Sequence, residues 1–476
     1  MKYLLSAFFI FFLSNCASSI PEDEIITKTH TRTNFINEKI LDTFGDNHEN
    51  WENKDFIQNF FNIFDDPILQ NLIQIALKNN TDILTFTSKI AQARSLAKIS
   101  GADLLPKIGV NLGYNYSDGN YKKYQINFNQ NTLNGSFTLA WEIDIFGKIN
   151  ALRHANKEQF FSAQKNLENA KISLITDLAN YYFNIRKFVN TITIAQKLVK
   201  NQEKILEINE IKYNLGLVDI SEVAPLKTQL FIQKKALFDL KYQLEQNKNA
   251  LLVLLNTNDL GFDTHILYDF KEPKLPKIQK LPAQTLLDRP DIQSAIHALN
   301  TQIYTKASKR AEFFPSINLT GNIGQILFSN NGIGDLIWQI TGALSMPLLN
   351  RSAIRENYKI QQENLKQAFY VLQNSINTAL GEIENALIDM QNSDQNLLNS
   401  KQSNHWSKET LEAMKLKTNY KLIDELGFLN YENQYLNTKK DLYDSFLSNV
   451  QAAIVLYKSF GGIFMSINQN KDKNAN

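Results

Sequence analysis

The sequence predicts a mainly α-helical chain with a transmembrane β part, built as two structural repeats that each join two β-strands to a long antiparallel coiled-coil hairpin. Three observations lead there. The chain echoes itself with a shift of roughly two hundred residues, the sign of a duplicated unit. In each copy a proline marks the point where hydrophobic spacing switches from helical to alternating. Beyond residue 15 there is no run of about 18 apolar residues, the length a spanning helix needs, so any membrane insertion must use strands.

The N-terminus reads as a signal peptide over residues 1–15. Lys2 is its positive region and Leu4 to Leu13 its apolar core, too short to span. Cys16 follows at once and is the only cysteine, which rules out an intrachain disulfide or a multi-cysteine metal site. Leu13-Ser14-Asn15-Cys16 resembles a bacterial lipobox, which would make Cys16 the lipidated first residue of the mature protein; Asn15 departs from the small residue usual there. Ala17 and Ser18, with no Asp after the cysteine, fit outer-membrane sorting as that resemblance implies it. One acyl chain holds weakly, so an embedded barrel would supply the firm attachment. Residues 16–64 form the N-terminal arm, of which Ser18 to Asn62 is polar and is expected to be extended.

The first repeat is placed at 65–258. A helical stretch from Asp82-Ile83 ends in Leu104-Leu105-Pro106-Lys107-Ile108, and Asp291-Ile292 to Phe313-Phe314-Pro315-Ser316-Ile317 repeats it at the same spacing. Strands are expected at about 106–117 and 132–144. Ile108, Val110, Leu112, Tyr114 and Tyr116 oppose Gly109, Asn111, Gly113, Asn115 and Ser117; Leu133, Phe137, Leu139, Trp141 and Ile143 oppose Thr132, Asn134, Ser136, Thr138 and Glu142. The second repeat, 285–464, places strands at about 315–326 and 335–347, with Ile317, Leu319 and Ile323, then Leu336, Trp338, Ile340, Leu344 and Met346, on the apolar face. Strands of about ten residues with one apolar face suit a tilted membrane crossing. Four of them cannot close a barrel, since the smallest have about eight, and an open edge in lipid leaves backbone groups unpaired, so the chain is expected to oligomerise.

The helical hairpins are placed at 151–256 and 351–460. Leu174, Leu178, Tyr181, Ile185, Phe188, Ile192, Ala195 and Val199 step by threes and fours, as do Leu365, Phe369, Leu372, Ile376, Ala379, Ile383, Ala386 and Met390. Ala151 to Asn214 holds neither proline nor glycine, enough for a helix of about 95 Å. The seams break near Gly216 and Asp424, where the chain turns back; Asp219 with Gln229 is echoed by Asp424 with Gln434. Residues 259–284, with three prolines, read as a linker, and 465–476 as a disordered tail.

Lys plus Arg number 50 against 48 Asp plus Glu, and the basic residues are scattered, which gives no reason to expect nucleic acid. The six histidines (His30, His48, His154, His265, His297 and His405) lack metal-ligand spacing, and neither a phosphate-cradling loop nor a nucleophile elbow is present. No cofactor, metal or catalytic residue is expected, and the chain is not read as an enzyme. A periplasmic coiled-coil spacer or adhesin would account for the seams and the signal peptide; it predicts a protein soluble without detergent once the lipid anchor is removed.

The order of helix, strand pair and helical hairpin, twice over from about Asp65 to Gly462, resembles the TolC-like outer membrane factor family, and within it the lipoproteins of RND-type drug efflux. The resemblance rests on Arg289-Pro290-Asp291-Ile292, on Phe313-Phe314-Pro315-Ser316-Ile317-Asn318-Leu319-Thr320-Gly321 and on Trp141-Glu142-Ile143-Asp144-Ile145-Phe146-Gly147-Lys148. Tyr182-Phe183-Asn184-Ile185-Arg186, Tyr213-Asn214-Leu215-Gly216 and Ser459-Phe460-Gly461-Gly462 add to it. It implies a homotrimer with a 12-stranded β-barrel in the outer membrane and a 12-helix periplasmic α-barrel. The trimer would be a passive conduit fed by an inner-membrane pump through a periplasmic adaptor (membrane fusion) protein. Type I protein secretion shares this architecture; the lipobox and the Arg289 region favour efflux. The resemblance also implies a periplasmic gate of acidic rings at the hairpin tips, around Tyr213 to Glu222 and Asn419 to Asn430. Asp424 and Glu425, with Asp219, Glu222 and Tyr213, are the candidates. Lys421 stands where the first tip has Gly216, and Gly427 and Asn430 stand where some relatives carry acids.

Overall fold

The computed structural model describes residues 56–121, 126–262, 272–274, 286–330, 332–346 and 351–462. The signal peptide, Cys16, most of the arm, most of the linker and the tail lie outside the described residues. Three helices open the described chain: α1 (Phe56–Ile63), α2 (Pro67–Asn79) and α3 (Thr81–Ala102). Strands β1 (Lys107–Tyr121) and β2 (Ile126–Ile143) precede the hairpin of α4 (Lys148–Asn214) and α5 (Ile220–Leu255). Helix α6 (Pro290–Ala311), β3 (Ser316–Ser329), β4 (Leu336–Ser345), α7 (Arg351–Asn419) and α8 (Glu425–Ser459) repeat the order. α4 runs 67 residues and α7 runs 69 without a break, each about 100 Å at 1.5 Å per residue.

Two compact units cut across the two repeats. Among the described residues, one takes 87–165 and 293–375, the other 56–86, 166–292 and 376–462. In the first, all four strands form one antiparallel sheet in the order β1-β2-β3-β4. The strands run further than their apolar stripes, because backbone pairing continues into Asn-rich ends. There Tyr114 Oη donates to Asn131 Oδ1 at 3.0 Å, and Asn129 Nδ2 donates to Tyr116 Oη at 3.3 Å. Three sequence features lock the turn from β2 into α4. Trp141 Nε1 donates to the Leu104 carbonyl at 3.0 Å, Asp144 accepts from the amides of Ile149 (3.0 Å) and Asn150 (2.7 Å), and Gly147 takes φ +73°.

In the second unit, the α7 seam residues Ile376, Ala379, Ile383, Ala386 and Met390 are buried, as the heptad spacing requires. The middle of α4 is buried on more than its seam: Ile175, Ala179, Tyr182 and Arg186 are covered as well. Part of what covers it is unexpected from sequence. The end of the arm is not extended but forms α1, because Phe56, Phe60 and Phe64 recur at helical spacing; Phe60 is fully buried and packs edge-on against Tyr457, with ring centroids 5.0 Å apart. Asp66 then caps α2, accepting from the amides of Ile68 and Leu69. Its other oxygen takes the Tyr182 hydroxyl at 2.9 Å and Arg186 Nη1 at 2.6 Å.

Arg289 fastens the base of the second hairpin. It is 6% exposed, chelates Asp291 through Nε (3.1 Å) and Nη2 (2.8 Å), reaches Glu382 on α7 at 2.8 Å and donates to the Ser459 carbonyl at the end of α8 at 2.5 Å. Burial, the largest single influence on its pKa, opposes the charge, but Asp291 and Glu382 together reverse it and the net shift is upward. Gly461 and Gly462 sit at φ +64° and +74° against this knot; a Cβ on Gly462 would lie 2.7 Å from Phe56 Cβ. The arginine motif and the closing diglycine, far apart in sequence, are thus two sides of one contact.

Candidate functional site

Two features could serve a conduit, the sheet and the hairpin tips. Register aligns the sheet's apolar residues in rows: Ile108–Leu139–Gly321–Ile340, and Val110–Phe137–Ile323–Trp338. Val110 is 71% and Trp338 70% exposed within the chain, so this face has no protein cover of its own. The opposite face is mostly small and polar, with Ile337 as an apolar member: Gly109–Thr138–Asn322–Gln339, and Asn111–Ser136–Gly324–Ile337. A bulge at Leu133/Asn134 interrupts the β2–β3 register, and Leu327 leans over Gly135, where a Cβ would come within 3.0 Å of its Cδ1. The outer edges of β1 and β4 are not paired within the sheet.

The two tips share one backbone design. At the first, the amides of Gly216 and Leu217 return to the carbonyls of Tyr213 and Lys212; at the second, those of Lys421 and Leu422 return to Thr418 and Lys417. The residue in left-handed conformation is Gly216 (φ +71°) at one tip and Lys421 (φ +59°) at the other, where a side chain makes that conformation costly. Asp219 caps α5, accepting from the Ser221 amide at 2.6 Å, and Asp424 caps α8, accepting from the Gly427 amide at 2.8 Å. Glu222 and Glu425 follow in the first turns, where the helix dipole favours a negative charge. All four carboxylates are exposed, and Tyr213 is 43% exposed on the last turn of α4. Hydrogen bonds from the Ser221 hydroxyl and amide hold the Asp219 carboxyl below its usual pKa.

Sequence reading missed the ties between the hairpins. Asn201 on α4 donates to Glu432 (2.8 Å) and Asn433 (2.9 Å) on α8, and Lys187 pairs with Asp444 at 2.7 Å. No pattern announces them, because each is one polar residue in a polar stretch. Among the described residues no cluster of three or more potential metal ligands occurs, and no helix is long and apolar enough to cross a membrane.

The sequence profile of the outer membrane efflux protein family matches residues 72–257 and 281–462. The antibiotic efflux pump outer membrane protein ArpC of Pseudomonas putida is 24% identical over 422 residues, 85% of each chain. The "Probable outer membrane lipoprotein SilC" of Salmonella typhimurium is 22% identical over 96% of this chain and 98% of its own length. The fold is that of the Campylobacter jejuni CmeC outer membrane channel, with a TM-score of 0.78, 24% identity and 94% of each chain covered.

Proposed function

The chain belongs to the outer membrane efflux protein family, and on that premise we propose that it is the outer-membrane channel component of a tripartite efflux system. It is a passive conduit for small molecules across the periplasm and the outer membrane, and a pump supplies the energy. The observation that carries this reading is the sheet, whose apolar rows lack cover on one face, whose other face is mostly Asn, Gln, Ser, Thr and Gly, and whose two edges are open. Lipid covers the apolar face, and β1 of one copy pairs with β4 of the next until a trimer closes the barrel, since an unpaired edge in hydrocarbon costs several kcal/mol per group.

The long hairpins reach into the periplasm to meet an adaptor protein and, through it, an inner-membrane pump. The tip carboxylates Asp219, Glu222, Asp424 and Glu425 form the gate, repeated three times around the axis, with Tyr213 beside them. Asp219 and Asp424 serve twice, because as helix caps they also fix the turn on which the ring depends. Cys16 carries the lipid anchor.

Single-channel recording of detergent-extracted protein in a planar bilayer, beside an oligomer mass from the same preparation, tests the reading. Discrete openings from a three-chain species are expected. Protein soluble without detergent, or a monomer that leaves the bilayer silent, would overturn it.

A further inference from the structure

Beyond its two rows nearest the helices, the polar face of the sheet carries no charge among the described residues. The rows Asn115–Thr132–Ser329, Asn111–Ser136–Gly324–Ile337 and Gly109–Thr138–Asn322–Gln339 hold no ionisable group. Charge enters only in the last two rows at the helical end, with Lys107 beside Ala140, Thr320 and Thr341, and Glu142 beside Asn318 and Ala343.

Each of these charges has an opposite partner in the same chain. Lys107 Nζ lies 2.9 Å from Asp103, and Lys148 Nζ donates to Glu142 Oε1 at 2.5 Å. Glu142 and Lys148 keep 33% and 36% of their side chains exposed and line a cavity of about 310 Å³ at the foot of the sheet. The other carboxylates of that cavity are also engaged, Asp144 by the backbone amides of Ile149 and Asn150 and Glu312 by Lys309 at 2.7 Å. The matching end of β4, Ala343 to Ser345, has no charge to add.

We propose that the Glu142–Lys148 pair determines specificity by cancelling charge where the helices meet the sheet, so that the membrane section accepts cationic, anionic and neutral solutes alike. This rests on the channel reading above, which turns the polar face inward and repeats the pair three times around the axis. Breaking one side of the pair leaves a ring of three like charges. For three unit charges about 10 Å from the axis, screened over a Debye length of about 10 Å in 0.1 M salt, the cation-to-anion permeability ratio changes about four- to fivefold.

The test is the reversal potential in a potassium chloride gradient across single channels. Glu142→Gln is expected to lower the ratio by that factor and Lys148→Met to raise it, while the exchanged pair Glu142→Lys/Lys148→Glu keeps the wild-type ratio. Glu142→Cys, treated with a sulfonate-bearing thiol reagent after insertion, reads the same channel before and after a charge is restored and so removes folding from the comparison. Openings whose selectivity ignores the single substitutions and the reagent overturn this inference alone. A wild-type protein that never opens overturns the channel reading and this inference with it.

Discussion

Replacing Asp66 by Asn separates two jobs that one carboxylate performs. The amide oxygen can still accept from Ile68 N (3.0 Å) and Leu69 N (3.2 Å), so the cap on α2, worth about 1 kcal/mol, is kept. Its NH₂ instead faces two donors, the Tyr182 hydroxyl at 2.9 Å and Arg186 Nη1 at 2.6 Å. The Arg186 and Asp66 side chains are only 11% and 17% exposed, and Arg186 also lies over the rings of Tyr182 and Phe183, so the cation cannot turn to water. Removing one partner of such a pair costs about 3–5 kcal/mol. At the lower bound, local opening of α1 and α2 becomes about 150-fold more populated, at tenfold per 1.36 kcal/mol. Hydrogen exchange of the Leu69 to Ala76 amides in detergent-extracted protein reads that opening directly. Asp66→Asn/Arg186→Met is expected to recover most of the protection, because it removes the buried charge with its partner. An unchanged exchange rate in Asp66→Asn, or a double variant as open as the single, would refute the reasoning.

Burial, before the neighbouring Asp66, pushes the Tyr182 phenol well above its usual pKa, with Arg186 opposing. A raised folded pKa means stability that is complete below the unfolded value of about 10 and lost as pH climbs through the folded one, so the Tyr182 contribution holds to about pH 10 and then declines. Phenolate absorbance of wild type minus Tyr182→Phe should show one late-titrating group. At the second tip, Lys421→Gly should stabilise the turn by about 1 kcal/mol and Gly216→Lys should cost about 1–2 kcal/mol, both read as exchange at the tip amides. Ile340→Lys, on the apolar face, should cost about 2–4 kcal/mol and deplete folded protein in membranes, while its neighbour Thr341→Lys is tolerated; equal outcomes would mean the faces are assigned wrongly. Gly462→Ala combines φ +74° with contacts of 2.7 Å to Phe56 and 2.9 Å to Tyr457, and should expose α1 to protease.

The architecture was legible in the sequence because it rests on period. Alternation after Pro106 and Pro315 marks strands, steps of three and four mark the long helices, and the shift between Gly216 and Lys421 marks both turns. Asp219 and Asp424 could be placed near the turns from sequence. That they cap follows from where α5 and α8 begin, and a helix start is fixed by hydrogen bonds that a run of acidic residues does not reveal.

By itself the sequence determined the duplicated order of elements, the two faces of each strand and the places where the chain reverses, since these follow from local backbone geometry and the separation of apolar from polar side chains. Tertiary structure alone decided which distant polar groups meet: Arg289 with Glu382 and the Ser459 carbonyl, Asp66 with Arg186, Asn201 with Glu432. It also made the end of the arm a buried helix on Tyr457. A polar side chain has the same local signature whether it faces water or a partner hundreds of residues away, and only the folded chain, by excluding water from one of those places, makes the difference.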